Sequence, residues 1–469
     1  MDILLQDAVE QAAALETRRI SAEELMRLTL ARIDSANPRV NAIVSRRDPD
    51  ALIAEARAAD NTPRKGWMHG LPIAVKDLAN VKGLPTSMGS PIFRGNVAAG
   101  DDLMVSRMRT SGAIFIGKTN TPEFGLGSHT FNPVHGATGN AYEPSVSAGG
   151  SSGGAAVALA CRMVALADGS DMMGSLRNPA GWNNVYGMRP SWGRVPDEPL
   201  GETFLHPLAT NGPMARSPRD LAALLEVQSG PEPRRPFTLP SEEFVARIDT
   251  DVKGRRVAWL GDWGGAYAME DGVLETCEKA LKSWADLGVA VEGLDAPLSA
   301  AELWQSWLDL RAFANANRLA PLYADPALRA QLKDTAIWEI ETGRGLTLDA
   351  VQAASLIRSR WFKKAAELLM TYDALILPTA QVWPFPLGTA YPTQIAGREM
   401  DTYHRWMEVV VPASLLGLPA VAVPAGFGAA GLPMGLQIIG RHGDDLGVLQ
   451  LAHAWHKATR WTDRLPPMG

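Results

Sequence analysis

The sequence predicts an α/β fold whose strands are buried. Short, nearly uncharged apolar runs, such as 71–75, 113–117 and 374–378, alternate with longer stretches of helical periodicity. That is the rhythm of strands covered by helices. The composition, 46% hydrophobic and 20% charged over 469 residues, is that of an ordinary globular protein, and a chain of this length can bury a large core. No fixed-period repeat and no low-complexity tract interrupts the pattern.

Taken in order, residues 5–60 carry helical signals broken at Arg18-Arg19-Ile20-Ser21. Ser21, with Glu24 three positions on, forms a capping box. The helix it opens sets Leu25, Leu28, Leu30 and Ile33 on or near one face, and Asn37-Pro38 should end it. Residues 41–46 read as a strand and 49–60 as an alanine-rich helix. Residues 71–78 form an apolar strand interrupted by Lys76; 101–111 is a helix, 113–117 a strand and 118–124 a loop. Residues 125–148, rich in Gly, Asn, Pro and Ser, have little periodicity, and so long an irregular segment is usually functional. Residues 152–163 read as a helix of small residues (Ala155, Ala156, Ala158, Ala160) able to pack closely under a glycine turn. Then come a short strand at 165–167, a helix at 215–228, a Pro/Arg linker at 230–240, a strand at 256–260, an amphipathic helix at 271–287 and a strand at 288–292. Long helices fill 300–370. The chain ends with strands at 373–379, 419–424 and 434–440 and a helix at 445–458.

The formal net charge of −6 argues against a nucleic-acid footprint, which needs a clustered basic surface. The two cysteines, Cys161 and Cys277, have no C-x-x-C spacing, so neither a disulfide scaffold nor a cysteine zinc site is expected. The N-terminal heptapeptide is short and acidic, and no uncharged apolar run approaches the length of a membrane span. A cytoplasmic location follows as the expectation.

The chemistry concentrates in residues 149–190. Gly149-Gly150-Ser151-Ser152-Gly153-Gly154 precedes the small-residue helix, and Gly169-Ser170-Asp171-Met172-Met173-Gly174-Ser175 follows it. The first motif could be a structural turn or a phosphate cradle, but a P-loop requires a lysine that is absent here. Paired glycine-bound serines also suit an oxyanion site, where flexible backbone exposes N–H groups to an anion. Lys76, upstream, either snorkels to solvent from a strand end or lies desolvated with a depressed pKa, able to accept a serine's proton. A Ser-His-Asp triad is disfavoured, since no Gly-x-Ser-x-Gly elbow surrounds Ser151, Ser152 or Ser175. His129 and His135 could line a pocket without moving the proton. No H-E-x-x-H is present, and His453 with His456 lacks a third ligand, so no metal site is expected. Arg177 reads as a structural partner of Asp171 that holds the second loop.

These motifs resemble the amidase signature family of serine hydrolases. The resemblance spans nearly the whole chain: Val75-Lys76-Asp77, Gly117-Lys118-Thr119-Asn120 with Glu123-Phe124-Gly125, the two serine motifs, Leu377-Pro378-Thr379-Ala380, Gly417-Leu418-Pro419-Ala420, and 431–440. It implies an α/β/α sandwich with a mixed, largely buried central sheet covered by helices. It also implies a single domain over 1–469, in which 1–65 is an N-terminal helical segment and 66–230 the catalytic region. Residues 231–469 would supply a helical insertion, the rest of the sheet and the substrate pocket. Carried over residue by residue, Ser175 is the nucleophile, Ser151 a bridging serine preceded by a cis peptide, and Lys76 the base. The backbone N–H groups of Met172, Met173, Gly174 and Ser175 would surround the oxyanion. No cofactor is implied.

Two departures stand out. The family's Thr-Gly-Gly or Ile-Gly-Gly is Met172-Met173-Gly174 here. Met173 would be strained if its position needs positive φ; otherwise two thioethers crowd the acyl site. The family's Phe-Cys-Gly is Trp182-Asn183-Asn184. The expected pocket residues are Phe124, His129, Gly150, Trp182, Trp383, Tyr403 and Trp406, with Phe385 and Met407 nearby. The leading expectation is hydrolysis of a small, aryl or alkyl carboxamide. The alternatives are the amide-hydrolysing subunit of a glutamine-dependent tRNA amidotransferase and a non-catalytic binding protein on the same fold. The expected partner is a small amide, with at most a second copy of the chain; neither nucleic acid nor membrane is expected.

Overall fold

Every N–H and C=O in a buried strand needs a partner. In the computed structural model, which describes residues 2–467, the buried strands find theirs in one eleven-stranded sheet. Its order across the sheet is Ile43–Val44, Ile114–Thr119, Pro72–Lys76, Leu166–Asp171, Thr210–Ala215, Tyr186–Arg189, Ala420–Phe427, Pro433–Ile439, Ala374–Pro378, Arg256–Trp259 and Ala290–Gly293. The strands around Pro72–Lys76 run parallel, as do the three ending at Ala290–Gly293. The middle is antiparallel. The sheet is therefore mixed, with helices packed over it, and the α/β expectation holds.

The element pattern holds with instructive exceptions. Ser21 accepts from the Glu24 N–H at 3.0 Å and starts the helix Ala22–Val40. That helix does not stop at Asn37-Pro38. It runs on through Pro38 to Val40. The Asn37 side chain then organises the exit, accepting from the N–H groups of Ala42 and Ile43 at 2.9 and 2.8 Å. Leu25, Leu30 and Ile33 are buried as expected, but Leu28 is exposed. Residues 118–119, read as loop, finish the strand Ile114–Thr119. The strands Tyr186–Arg189 and Thr210–Ala215 and the helix Arg177–Trp182 had no periodic signal. Their segments mix Gly, Pro, Arg and Asn with apolar residues, and only burial against neighbouring strands makes them regular.

The helix Gly153–Ala160 is buried along its whole length. It packs so closely on the strand end at Asn120 that a Cβ on Gly154 would lie 2.3 Å from the Asn120 backbone nitrogen and 2.6 Å from the Ala42 carbonyl oxygen. This contact seats the serine motif over the sheet. Gly154→Val should therefore cost about 3 kcal/mol through overpacking against rigid backbone, read as a lowered midpoint in urea unfolding; an unchanged midpoint would contradict the packing.

Candidate active site

Two local features bring the catalytic candidates together. Strands that run parallel share a C-terminal edge, and side chains at that edge converge. Lys76 ends Pro72–Lys76, and Ser170 and Asp171 end the adjacent parallel strand Leu166–Asp171. The glycine turn before the helix Gly153–Ala160 delivers Ser151 and Ser152 to the same edge. The Gly150–Ser151 peptide is cis.

Lys76 is 2% exposed, and its amine meets only oxygen. Nζ lies 2.7 Å from Ser151 Oγ, 2.9 Å from Ser152 Oγ, 3.0 Å from Ser170 Oγ and 3.3 Å from the Ser170 carbonyl. The snorkelling alternative is therefore ruled out. Burial pulls its pKa down to about 7, against the opposing pull of Asp168 and Asp171. Ser175 is 7% exposed, and its carbonyl accepts from the Ser152 N–H at 3.2 Å. That bond ties the two serine motifs together.

The loop from Asp171 to Ser175 is organised by one carboxylate. Asp171 accepts from the N–H groups of Gly174 (2.9 Å) and Leu176 (3.1 Å). It also accepts from Arg177 Nε and Nη2, both at 3.0 Å, and from Arg189 Nη1 at 3.1 Å. Burial pushes the Asp171 carboxyl up, but the Arg177 and Arg189 guanidiniums outweigh it and hold the pKa well below the usual carboxylate range. Arg177 has the structural role read from the sequence. The Gly174 N–H is thus committed, which leaves those of Met172, Met173 and Ser175 with no protein acceptor among the described residues.

The two methionines separate. The positive φ of the loop, 78°, falls on Gly174 and not on Met173, and a Cβ at Gly174 would also lie 2.9 Å from Val410. Met173 is unstrained and buried in the core. Met172 is only partly buried, and its Sδ lies 3.3 Å from Arg311 Nη1. One thioether borders the site, not two. In the other departure, Asn184 takes the left-handed conformation (φ 55°), which Asn tolerates better than other side chains, and it donates to Tyr142 Oη at 2.9 Å and the Trp461 carbonyl at 2.8 Å.

Beside the serine motif opens a cavity of about 230 Å³, lined by His129, Phe131, Lys333, Tyr391, Tyr403 and Trp406 among others. Ser128, in its wall, donates to the Gly150 carbonyl at 2.5 Å, so cavity and serine turn share a seam. His129 receives a hydrogen bond from Ser147 Oγ at Nδ1 (2.8 Å) and donates from Nε2 to the Leu387 carbonyl (3.0 Å). Both nitrogens are occupied, burial lowers its pKa, and it cannot serve as the serine's base. His135 instead approaches Asp77 and Ser87.

Of the expected pocket set, His129, Tyr403 and Trp406 line this cavity. Gly150 touches it through Ser128. Phe124 belongs to a small cluster with Leu126 behind it. Trp182 stacks behind Trp406, with ring centroids 5.8 Å apart, and Phe385 meets both edge-on. Trp383 does not belong: it lies in a separate groove with Glu270, Asp271 and Gly428, because its indole donates to the Asp271 carbonyl. Sequence reasoning missed the contacts of Ser152 and Ser170 with Lys76 and the buried Arg311–Glu339 pair that Tyr403 joins. In that network Arg311 donates to Glu339 Oε1 at 2.6 Å and to Tyr403 Oη at 2.7 Å. Ser152 was legible as the neighbour of Ser151. Arg311 was not, since it reads as one charge on a long helix.

With this geometry in hand, comparison with known proteins is specific. The amidase family model matches residues 24–449. An acylamidase of Rhodococcus erythropolis is 34% identical, over 98% of this chain and 96% of that protein. A glutamyl-tRNA(Gln) amidotransferase subunit of Chloroflexus aurantiacus is 32% identical, over 97% of this chain and 96% of that protein. The crystal structure of a bacterial aryl acylamidase of the amidase signature enzymes superposes with a TM-score of 0.90 at 28% identity, over 98% of each chain.

Arg177 also donates to Gln437 Oε1, Ser414 Oγ and the Val410 carbonyl. Arg177→Met would leave Asp171 short of a buried cation and should cost about 3–5 kcal/mol. Denaturant unfolding of the purified variant measures this; a loss below 1 kcal/mol, roughly the worth of a surface pair, would contradict the assigned role.

Proposed function

The chain belongs to the amidase family and is an amide-hydrolysing enzyme, and from that premise we propose that it cleaves aryl or alkyl acylamides through an acyl-enzyme on Ser175. The observation that carries this reading is the buried Lys76 amine, 2.7 Å from Ser151 Oγ, with its pKa drawn down to about 7. A neutral amine there has a lone pair to aim at the Ser151 hydroxyl, while its own protons go to the Ser170 carbonyl and a neighbouring hydroxyl.

In the proposed reaction Ser175 Oγ attacks the amide carbon and passes its proton to Ser151 Oγ, whose own proton moves to Lys76 Nζ. The N–H groups of Met172, Met173 and Ser175 stabilise the oxyanion. Collapse returns the proton through Ser151 to the leaving nitrogen, and the amine departs. Water repeats the relay and releases the carboxylate. The aromatic walls of the cavity, Phe131, Tyr391, Tyr403 and Trp406, suit an aryl group, in keeping with the acylamidase relatives. The second reading, an amidotransferase component, is favoured by the Chloroflexus relative. The aromatic lining and the Met172 thioether beside the acyl site speak for the acylamidase.

Ser175→Ala should abolish labelling by a fluorophosphonate probe and lower kcat on an acyl anilide by on the order of 10⁶-fold; persistent labelling of that variant would refute the nucleophile. Because burial lowers the Lys76 pKa, the competent neutral form gains population as pH rises. Then kcat/KM should climb through about pH 7 and level off in alkali, as a pH-rate profile will record. Glutaminase activity arising only with a partner chain would favour the second reading.

A further inference from the structure

One layer of buried charge has no part in the proton relay. Ala74 pairs with Ala167 and Val75 with Lys118. Side chains alternate along a strand, so Lys118, Asp168 and Asp77 fall on the face of the sheet opposite the Lys76 side chain. All three are buried. Asp168 Oδ1 accepts the Lys76 backbone N–H at 2.9 Å. Lys118 Nζ lies 4.0 Å from Asp77.

We propose that Asp168 is the counter-charge that sets the working pH of the Lys76 amine, a positioning residue that acts on the base without touching substrate. The proposal rests on the reading of Lys76 as the base. The charges around Lys76 single out Asp168. From the adjacent strand come Asp168 and Asp171. Asp171 is bound by two guanidiniums, Arg177 and Arg189, so its charge is more than matched. From the strand on the other side comes Lys118, which faces Asp77, Asp168 and Asp102. Asp77, next along the chain, is engaged by Ser87 and His135. The turn at 149–152 and the helix Gly153–Ala160 bring hydroxyls and no charge. Asp168 is thus the carboxylate that has no guanidinium partner and is hydrogen-bonded to the backbone of Lys76 itself.

Its own titration supports the assignment. Burial raises the Asp168 pKa to about 6, while the Lys76 N–H and the Lys118 and Lys76 charges oppose that rise. It is ionised where the lysine works. A carboxylate at this place favours the ammonium that forms when Lys76 takes the relayed proton, and so makes the buried amine a stronger base.

The test is the acid limb of kcat/KM against pH for the wild type, Asp168→Asn and Asp168→Glu, with fluorophosphonate labelling of Ser175 measured over the same range as a substrate-independent readout. Asparagine keeps the acceptor for the Lys76 N–H and removes the charge. Its limb should move to lower pH by about one unit, with a lower alkaline plateau, because a weaker base transfers the proton less well. Glutamate keeps the charge, and its limb should stay with the wild type. An Asn variant that is less active but has an unmoved limb would reduce Asp168 to a structural role and overturn the proposal. So would a Glu variant whose limb moves, and this arm stands even where the Asn variant does not fold. A wild-type profile flat from acid to alkali would instead remove the lysine-base reading itself.

Discussion

An ammonium taken out of water is among the most costly groups a fold can bury, and the sheet is arranged around one. Lys76 ends a strand with parallel neighbours on both sides, so its amine arrives at an edge crowded by Ser151, Ser152 and Ser170. Hydroxyls satisfy the amine's hydrogen bonds without supplying the opposite charge that would keep it protonated. Desolvation then outweighs the pull of the nearby carboxylates and draws its pKa down to about 7, which suits the proposed role of base. The tight seat of the helix Gly153–Ala160 on Asn120 serves this arrangement: a larger residue at Gly154 would lift the serine turn away from the lysine.

The second constraint is the carboxylate of Asp171. It fixes the loop that carries Ser175 through two backbone N–H groups and joins it to Arg177 and Arg189, which reach the strands and helix of the C-terminal half. Folding of the two halves of the chain is thereby coupled to the shape of the proposed oxyanion loop. The methionines fit this scheme. Gly174 supplies the left-handed turn, so Met173 is free to fill the core and Met172 to meet Arg311. The one position of this loop with a positive φ is occupied by glycine, so the methionines before it carry no left-handed strain.

On the other side of the serine turn, rigid aromatic contacts build the cavity. Trp182 stacks on Trp406, Phe385 braces both, and His129, whose pKa burial lowers, is fixed in place by Ser147 and the Leu387 carbonyl. Tyr403 links this wall to the Arg311–Glu339 pair and, through Arg311, to Met172. The loop that carries Ser175 and the cavity therefore share one buried polar network, whose members come from two helices and a loop far apart in the chain.

Residue order alone determined a good deal here. Hydrophobic rhythm marks most strands and helices, Ser21 and Glu24 mark a helix start, and Lys76 with the two glycine-bound serines marks the site, because each is a local pattern read over a few residues. Tertiary structure decided the rest. The strands Tyr186–Arg189 and Thr210–Ala215 have no rhythm of their own and are made by their neighbours. The helix through Pro38 survives because Asn37 closes its end. Trp383, equal to Trp406 in the sequence, is held in another groove by hydrogen bonds from its main chain to Glu270 and from its indole to Asp271. Arg311, Glu339 and Asp168 acquire meaning only from what they face. Burial and Coulomb interactions depend on distance in space, and neither the depressed pKa of Lys76 nor the charge layer beneath it can be read from neighbours along the chain.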